Sequence, residues 1–346
     1  MNKIKIFLGG YINYKNAQNI NCKSIASHLD REKYDVYTLM VHYGENMSTS
    51  FNVFYCFRPF SFSRHIGFLW GILKCDIAYL PKHIDTPSWI LYLANLINKP
   101  LFTTIEGKIK SKETSYSLVN LFGNDKIMYN HFKHIKYIYG ISQHIIDGSK
   151  DILTLQPEPL FLGVDISEVN NNICSQLTDV VFIGSLIERK RVHEFILLAK
   201  QYNSIKFNII GDGPERNNLE RDAPHNVIFH GLMNYDSIKH ILFHCQLMFL
   251  PSKSEGFPKV ILEAASFGVP SIVYDTYGAS EWIQHNINGF IVDDFIAVKD
   301  IISQILDGSI SLKDISNNVL DLSLEFDWRR RIIYWQRIID KLYNER

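Results

Sequence analysis

The sequence predicts an α/β protein with two doubly wound parallel sheets in succession and a long helix at the end. Short β-branched and aromatic runs alternate with helix-periodic segments along almost the whole chain, which is the pattern of repeated βαβ units. The alternation starts afresh after a polar stretch at residues 165–178, and 346 residues exceed what one core usually fills. We therefore expect Rossmann-like domains at residues 1–165 and 166–325, with residues 326–346 as a helix that returns to the first domain.

The first series of strands begins with Ile4–Leu8, an apolar run that ends at Gly9-Gly10. The further strands predicted in this series are Tyr34–Val41, Asn52–Tyr55, Ile77–Leu80, Leu101–Thr104 and Tyr137–Ile141. The helices predicted between them are Asn16–Leu29, Ser88–Ile97 and Ser142–Lys150. Residues 58–70 interleave aromatic rings with Arg58 and Arg64, which is typical of a membrane-surface contact or of a core helix with a basic edge. We prefer the core helix.

The second series supplies another set of short apolar strands. These are Val180–Ile183, Phe207–Ile210, Val227–Phe229, Leu247–Leu250, Ser271–Tyr274 and Phe290–Val292. The helices predicted after them are Lys190–Tyr202, Pro214–Arg221, Asp236–Phe243, Pro258–Phe267 and Ala297–Leu306. The tail Trp328–Tyr343 is amphipathic, with apolar residues at Ile332, Ile333, Trp335, Ile338, Ile339 and Leu342.

The balance of charged residues excludes one class of protein and differs between the two halves of the chain. The 36 Lys and Arg residues balance 36 Asp and Glu residues, whereas a protein that wraps nucleic acid needs a basic excess. Residues 1–165 hold 18 basic and 13 acidic residues, a net charge of +5, and the rest hold 18 and 23, a net charge of −5. The opposite charges indicate two surfaces with different roles, and the basic first half favours a partner that is anionic or bound to a membrane.

The cysteines and the apolar runs predict the compartment. Five cysteines, at Cys22, Cys56, Cys75, Cys174 and Cys245, include no C-x-x-C pair, so we expect buried thiols in a reducing compartment and no metal site. No run reaches the about 20 apolar residues that a membrane span needs, and the N-terminus does not have the pattern of a signal peptide. The expectation is a cytoplasmic protein that can attach peripherally to the cytoplasmic face of a membrane.

Gly211-Asp-Gly213-Pro214 follows a predicted strand and precedes a predicted helix. Glycines in such a turn allow positive φ and a close backbone approach, and Pro214 suits the first helical position. A tight strand-to-helix turn explains this motif by itself, and the third glycine of a dinucleotide-binding fingerprint is missing.

The segment from Glu255 to Glu263 carries more chemical information. The segment after Glu255 reads Gly256-Phe257-Pro258-Lys259-Val260, and a helix is predicted to begin at Pro258. The free backbone N–H groups among residues 256–259, which exclude that of proline, favour an anion such as a phosphate. Glu263 lies within that helix among apolar neighbours, where an unpaired carboxylate is costly, and it could bind a vicinal diol such as a ribose. The structural alternative is a capping Glu255 and a solvated Glu263.

Lys190 lies where the first helix of the second series is expected to begin, together with Arg189. Cations are unfavourable at a helix N-terminus unless an anion binds there. We therefore interpret these side chains as a clamp for a diphosphate rather than as a solvated basic helix start.

Together these motifs resemble retaining glycosyltransferases of the GT-B fold, specifically glycosyltransferase family 4. The family's E-x7-E motif matches Glu255 and Glu263. The other matching motifs, in chain order, are Gly184…Lys190, Gly211-Asp-Gly-Pro214, Gly268-Val-Pro270, Gly278…Glu281 and Asn288-Gly289. In the first half the resemblance is weaker and includes Gly9-Gly10, Ile141-Ser142 and Gly163-Val164-Asp165.

The resemblance implies a cleft between two domains, with a nucleotide-sugar donor on the second domain and a glycan or lipid-linked acceptor on the first. It implies that Lys190 neutralises the diphosphate, that Glu255 faces the donor sugar and that Glu263 binds the ribose. It further implies donor contacts from Gly211, Gly213 and the loop after Glu255, a loop at Gly9 and Gly10 near the substrates, and no metal or other cofactor.

Two positions depart from the family pattern. Ser185 stands where the family commonly has Arg, so that Arg189 could supply the missing charge or Lys190 could act alone. Glu106 stands where the family often has a first-domain His, and it serves as an acceptor base, a hydroxyl ligand or a structural residue.

The sequence therefore predicts a retaining transferase that moves a sugar onto a surface polysaccharide or glycolipid. The alternatives are an inactive GT-B partner subunit that stabilises another transferase and a GT-B nucleotide-sugar epimerase.

Overall fold

The computed structural model describes residues 3–110, 117–166 and 176–346. The chain divides into two compact units, one formed by Met1–Gly163 with Trp328–Arg346 and the other by Val164–Asp327. The first division lies two residues before the predicted domain boundary. Residues 167–175 of the predicted linker, with Cys174, lie outside the described residues.

The N-terminal unit contains a six-stranded parallel sheet in the order β3-β2-β1-β4-β5-β6. Its elements are β1 (Ile4–Tyr11), α1 (Ala17–His28), β2 (Tyr34–Val41), β3 (Asn52–Cys56), α2 (Phe60–Lys74), β4 (Ile77–Tyr79), α3 (Ser88–Leu96), β5 (Leu101–Ile105), α4 (Leu118–Phe122), α5 (Asp125–Phe132), β6 (Tyr137–Gly140) and α6 (Gln143–Asp147). The predicted strands and helices are present with ends shifted by a few residues. The sequence reasoning missed α4 and α5.

The C-terminal unit repeats this architecture with the parallel order β12-β11-β10-β7-β8-β9. Its elements are β7 (Asp179–Ile183), α7 (Val192–Gln201), β8 (Lys206–Ile210), α8 (Arg216–Asp222), β9 (Val227–Gly231), α9 (Tyr235–Leu242), β10 (Leu247–Leu250), α10 (Lys259–Ala265), β11 (Ser271–Tyr274), β12 (Phe290–Val292), α11 (Phe295–Leu306) and α12 (Leu312–Glu325). The sequence reasoning missed α12. Pro214 is not the first helical residue as predicted, because α8 begins two residues later.

The last helix, α13 (Trp328–Asn344), belongs to the N-terminal unit and packs beside α1. Trp335 is fully buried against the ring of Tyr79, and its indole N–H donates to the Phe161 carbonyl at 3.1 Å. The predicted return of the tail to the first domain is therefore confirmed. Ile333 does not belong to the buried face as expected, since about half of its surface is exposed.

Gly9 and Gly10 lie inside β1 rather than in the loop that the sequence predicted. A Cβ at Gly9 would lie 2.8 Å from a methyl group of Leu80, and one at Gly10 would lie 2.7 Å from the Cys22 sulfur. These contacts are packing between the strand and its neighbours. Gly9 and Gly10 therefore allow close packing around β1 and do not lie in a substrate loop.

The structure describes four of the five cysteines, and they are buried as expected. Cys22, Cys56, Cys75 and Cys245 are buried free thiols. Among the described residues, no helix is both long and apolar enough to cross a bilayer, and no cluster of His, Cys, Asp and Glu could hold a metal ion.

Candidate active site

In the C-terminal unit, two cations and one carboxylate meet at the carboxyl end of the sheet. β7 and β10 are neighbours, so that the loops after both strands leave the same edge. The Lys190 ammonium forms an ion pair with one oxygen of Glu255, and the Arg189 guanidinium lies 3.4 Å from the other oxygen. Arg189 also donates to the Ser254 carbonyl. The three side chains carry a net charge of +1 at a place where little water reaches them.

Backbone geometry holds the cations in this position. Glu188–Lys190 forms a single 3-10 turn, and Arg191 adopts the left-handed region with φ 51° before α7 begins. The Lys253 amide donates to the Arg189 carbonyl at 2.9 Å, which ties the two loops together. Lys190 is therefore not at the first turn of α7 as predicted. Its charge is offset by Glu255, so the expected conflict with the helix dipole does not arise.

Glu255 is a partner of both cations and not a helix cap. The Glu255 side chain is about nine-tenths buried, and so is the Lys190 side chain. Removing one member of a buried ion pair typically costs about 3 kcal/mol or more, because the other charge is left without compensation. Glu255 thus fixes the two cations, and a bound dianion would compete with it for them.

The loop after Glu255 is closed by aromatic packing. α10 begins at Lys259, and Pro258 stands at its N-cap position without a capping side chain. The Phe257 ring lies 5.5 Å from both the Trp282 ring and the Phe326 ring. Phe257 therefore anchors the loop, whereas Gly256, Lys259 and Val260 are half-buried and remain the predicted donor contacts of this segment.

Glu263 lies in α10 and is also half-buried. Burial raises the pKa of its carboxyl above the ordinary value; Lys259 opposes this rise, and Asp165 adds to it. The carboxylate is thus in surroundings that favour a hydrogen-bond donor beside it. The solvated alternative does not fit these surroundings.

Gly211 and Gly213 allow two backbone segments to approach closely, as expected if their motif is a tight strand-to-helix turn. A Cβ at Gly211, whose φ is 136°, would lie 1.9 Å from the Gly184 carbonyl oxygen. A Cβ at Gly213 would lie 2.4 Å from the Leu186 carbonyl oxygen. The two glycines let the loops after β7 and β8 touch, and this contact leaves Ser185 exposed at the edge of the sheet.

The N-terminal unit has its own pocket at Glu106, with a volume of about 380 Å³. The Asn21 amide donates to the two Glu106 oxygens at 3.4 and 3.5 Å. Lys82 lies 3.1 Å from Asp85 on the pocket wall. Glu106 is thus one of several polar groups that hydroxyl groups of a ligand could contact.

His83 is a residue of this pocket that the sequence reasoning missed. Its Nε2 donates to the Thr104 carbonyl at 3.1 Å, and burial, helped by His131, lowers the pKa of its imidazole to about 3. The ring is therefore neutral at physiological pH and supports the end of β5, directly before Glu106. His83 could have been found from its place in the polar segment that follows β4, because the residues after parallel strands meet at the carboxyl edge of the sheet.

Comparison with known proteins identifies the C-terminal unit. Residues 166–320 match the family model described as glycosyl transferases group 1. The C-terminal unit is a group 1 glycosyltransferase domain. This match agrees with the resemblance that the E-x7-E motif indicated for the second half of the chain.

The relatives of this chain differ in how much of it they cover. An uncharacterized glycosyltransferase of Methanocaldococcus jannaschii is 31% identical over 33% of this chain and 31% of its own length. A second one from the same organism is 24% identical over 68% of this chain and 71% of its own. The alpha-galactosylglucosyldiacylglycerol synthase of Streptococcus pneumoniae is 31% identical over 35% and 33%. The chain thus matches about a third of the length of the first curated relatives.

Solved structures establish the fold of the whole chain. Sucrose-phosphate synthase from Thermosynechococcus elongatus has a TM-score of 0.81 at 13% identity, over 99% of this chain and 100% of that one. Anabaena HepE in complex with UDP-glucose has a TM-score of 0.74 at 16% identity, over 99% and 100%. The predicted GT-B type of α/β fold is confirmed.

Proposed function

We propose that the protein is a retaining glycosyltransferase that moves a sugar from a nucleoside-diphosphate sugar to a polysaccharide or glycolipid acceptor. The observation that carries this proposal is the cluster of Arg189, Lys190 and Glu255, in which a buried lysine and a partly buried arginine are held in place by a carboxylate that a diphosphate can replace. A glycosyl transition state develops negative charge on the leaving diphosphate and positive charge on the sugar ring. Fixed cations and a nearby carboxylate stabilise both charges.

The family motif supports the remaining roles. Glu255 faces the donor sugar, Lys190 and Arg189 bind the diphosphate, and Glu263 accepts hydrogen bonds from the ribose. Because these groups supply the charge that the leaving group needs, the reaction as proposed uses no metal. UDP and UDP-glucose are bound in solved structures of HepE, which has the same fold. UDP is therefore the first nucleotide to test.

A thermal-shift screen of UDP, GDP, ADP and TDP and of their sugars tests this proposal, since a ligand that binds only the folded state raises the melting temperature. We expect at least one nucleoside diphosphate to raise the melting temperature, by an amount that corresponds to about 2.7 kcal/mol when the ligand is at 100 times its Kd. Lack of any shift, together with lack of sugar transfer, would instead favour the inactive partner subunit. Conversion of a nucleotide sugar without an acceptor would identify the epimerase.

Replacement of Lys190 by Met is expected to weaken nucleoside diphosphate binding about 100-fold, because the buried ammonium is lost. The ligand-free variant should lose about 3 kcal/mol of stability, since Glu255 loses its main partner. Calorimetric titration below the melting temperature measures the affinity, and urea unfolding measures the stability.

The double variant K190M/E255Q separates these two effects. It should recover most of the stability without recovering the affinity, because no buried carboxylate is left unpaired. Lys206→Met is the matched control, as Lys206 pairs with Asp179 at the opposite end of β8. Unchanged affinity in K190M would contradict the proposed role of Lys190.

We propose further that the pocket of Glu106 receives acceptor hydroxyls and that the N-terminal unit touches a membrane surface. α2 and α3 pack together, and exposed apolar side chains lie on both, at Phe62, Trp89, Tyr92 and Leu96. The predicted core helix is correct for the buried side of α2, while this exposed side fits the other alternative. Aromatic rings beside basic residues such as Arg58 are typical of proteins that lie on anionic lipid.

The double variant W89E/L96E should bind vesicles that contain phosphatidylglycerol at least about tenfold more weakly, since two exposed apolar side chains that would enter the lipid are replaced by charges that anionic lipid repels. Leu232→Glu is the control, because Leu232 is a highly exposed apolar residue of the other unit. Vesicle co-sedimentation measures the binding. Equal binding of the wild type and the double variant would exclude this surface as the membrane contact.

A further inference from the structure

Two buried hydroxyl groups lie at the carboxyl edge of the second sheet without a hydrogen-bond partner among the described residues. They are the phenol of Tyr277 and the hydroxyl of Ser252, and both side chains are almost completely buried. A buried hydroxyl without a partner costs about 1–3 kcal/mol and is uncommon in native proteins. A partner that arrives with a ligand explains why such a group is retained.

The topology puts Tyr277 beside the loop of Glu255. Tyr277 lies three residues after β11, and Glu255 lies five residues after β10, its parallel neighbour. The Thr276 hydroxyl donates to the Ser252 carbonyl at 3.3 Å and joins the two loops next to these residues. β10 lies between β11 and β7 in the sheet. The loop of Glu255 is therefore flanked on one side by the loop that carries Tyr277 and on the other side by the loop that carries Arg189 and Lys190.

Electrostatics agrees with this placement. Burial raises the pKa of the Tyr277 phenol well above its ordinary value, and Glu255 is the charge that adds most to the rise. The phenol therefore keeps its proton and can only act as a neutral donor toward the carboxylate. In the structure, that carboxylate pairs with Lys190 and Arg189.

We propose that Tyr277 is a positioning residue for Glu255, to which its hydroxyl donates a hydrogen bond once a nucleoside diphosphate has drawn Lys190 away. This inference rests on the proposed function, because it needs a diphosphate that competes for the lysine. The exchange leaves neither charged group without a hydrogen-bond partner: the ammonium moves to the phosphate, and the carboxylate accepts from the neutral phenol. It also holds the carboxylate in place for the donor sugar.

The test measures nucleoside diphosphate affinity in a double-mutant cycle of Tyr277→Phe and Glu255→Gln. The probe is whichever of UDP, GDP, ADP and TDP gives the largest thermal shift with the wild type. In the ligand-free state, Y277F should be as stable as the wild type or more stable, because an unpartnered hydroxyl is removed. Its affinity should be about tenfold weaker, since a hydrogen bond to a charged acceptor forms only in the complex.

In the E255Q background, the same substitution should weaken binding by about threefold at most, because a neutral acceptor forms a weaker bond. Tyr11→Phe is the matched control: Tyr11 is a buried tyrosine of the N-terminal unit whose hydroxyl also has no described partner. Its replacement should leave the affinity unchanged. These readouts separate positioning from a merely structural role, which would change stability and not the coupling to residue 255.

Three results would overturn the inference alone: Y277F binding within twofold of the wild type, equal weakening in both backgrounds, or a loss of stability in ligand-free Y277F. A wild-type protein that binds no nucleoside diphosphate would overturn the proposed function, and this inference with it. The two failures are therefore distinguishable.

Discussion

Replacing Glu255 by Gln should reduce sugar transfer about 10³-fold while tightening nucleoside diphosphate binding. Loss of a preorganised charge at a reacting centre typically costs a factor of 10² to 10³ in rate. The second effect arises because Lys190 and Arg189 pair with Glu255 in the ligand-free protein. A neutral amide releases both cations for the diphosphate, so the affinity should rise although the activity falls.

Transfer assays and calorimetric titration with the same protein preparation measure these opposite changes. Glu188→Gln is the control, since Glu188 is an exposed carboxylate in the 3-10 turn that holds the cations. It should change neither quantity appreciably. If E255Q kept its transfer rate, Glu255 would be a structural ion-pair partner only, and the proposed role toward the donor sugar would be wrong.

Gly211→Ala should cost about 4 kcal/mol or more of folding free energy, which is at the extreme of single substitutions. The added Cβ would lie 1.9 Å from the Gly184 carbonyl oxygen, and the residue has φ 136°, which an L side chain rarely adopts. Because the obstacle is backbone and not a flexible side chain, the loops after β7 and β8 must separate. Separation would displace Ser185 and the turn that carries Lys190.

Urea unfolding and the yield of folded protein measure this effect. Gly107→Ala is the control, since a Cβ at Gly107 meets nothing within 4 Å and its φ is not in the left-handed region. It should change stability by no more than about 0.5 kcal/mol. A G211A protein within 1 kcal/mol of the wild type would show that these loops do not need their close contact.

The strands of this protein were predictable because most are short, buried apolar runs with clear ends. β10 ends at a proline and β12 follows a glycine, and both were predicted with the observed bounds. α12 was missed because its polar residues obscure the apolar period, which includes Leu312, Ile315 and Val319. Helix starts were less predictable, since Pro214 and Lys190 lie in turns before their helices.

The chemical types at the site were predictable, whereas their partners were not. The sequence places Lys190 and Glu255 sixty-five positions apart and indicates a charged role for each. That they pair with each other depends on β7 and β10 being neighbours, although two strands separate them along the chain. Tyr277 and His83 were not predicted either. Tyr277 is notable for a buried hydroxyl without a described partner, and His83 for a hydrogen bond to a backbone carbonyl, and neither feature can be read from the sequence.

The placement of α13 determines the order in which the protein can fold during synthesis. Trp335 and its neighbours complete the core of the unit that contains β1, but the ribosome makes them after every residue of the other unit. Domains generally fold as units when their residues become available. The unit that starts first is therefore finished last, and until then an apolar face beside Tyr79 and α1 has no cover of its own. A chaperone that recognises exposed apolar surface could therefore bind this face throughout synthesis of the other unit.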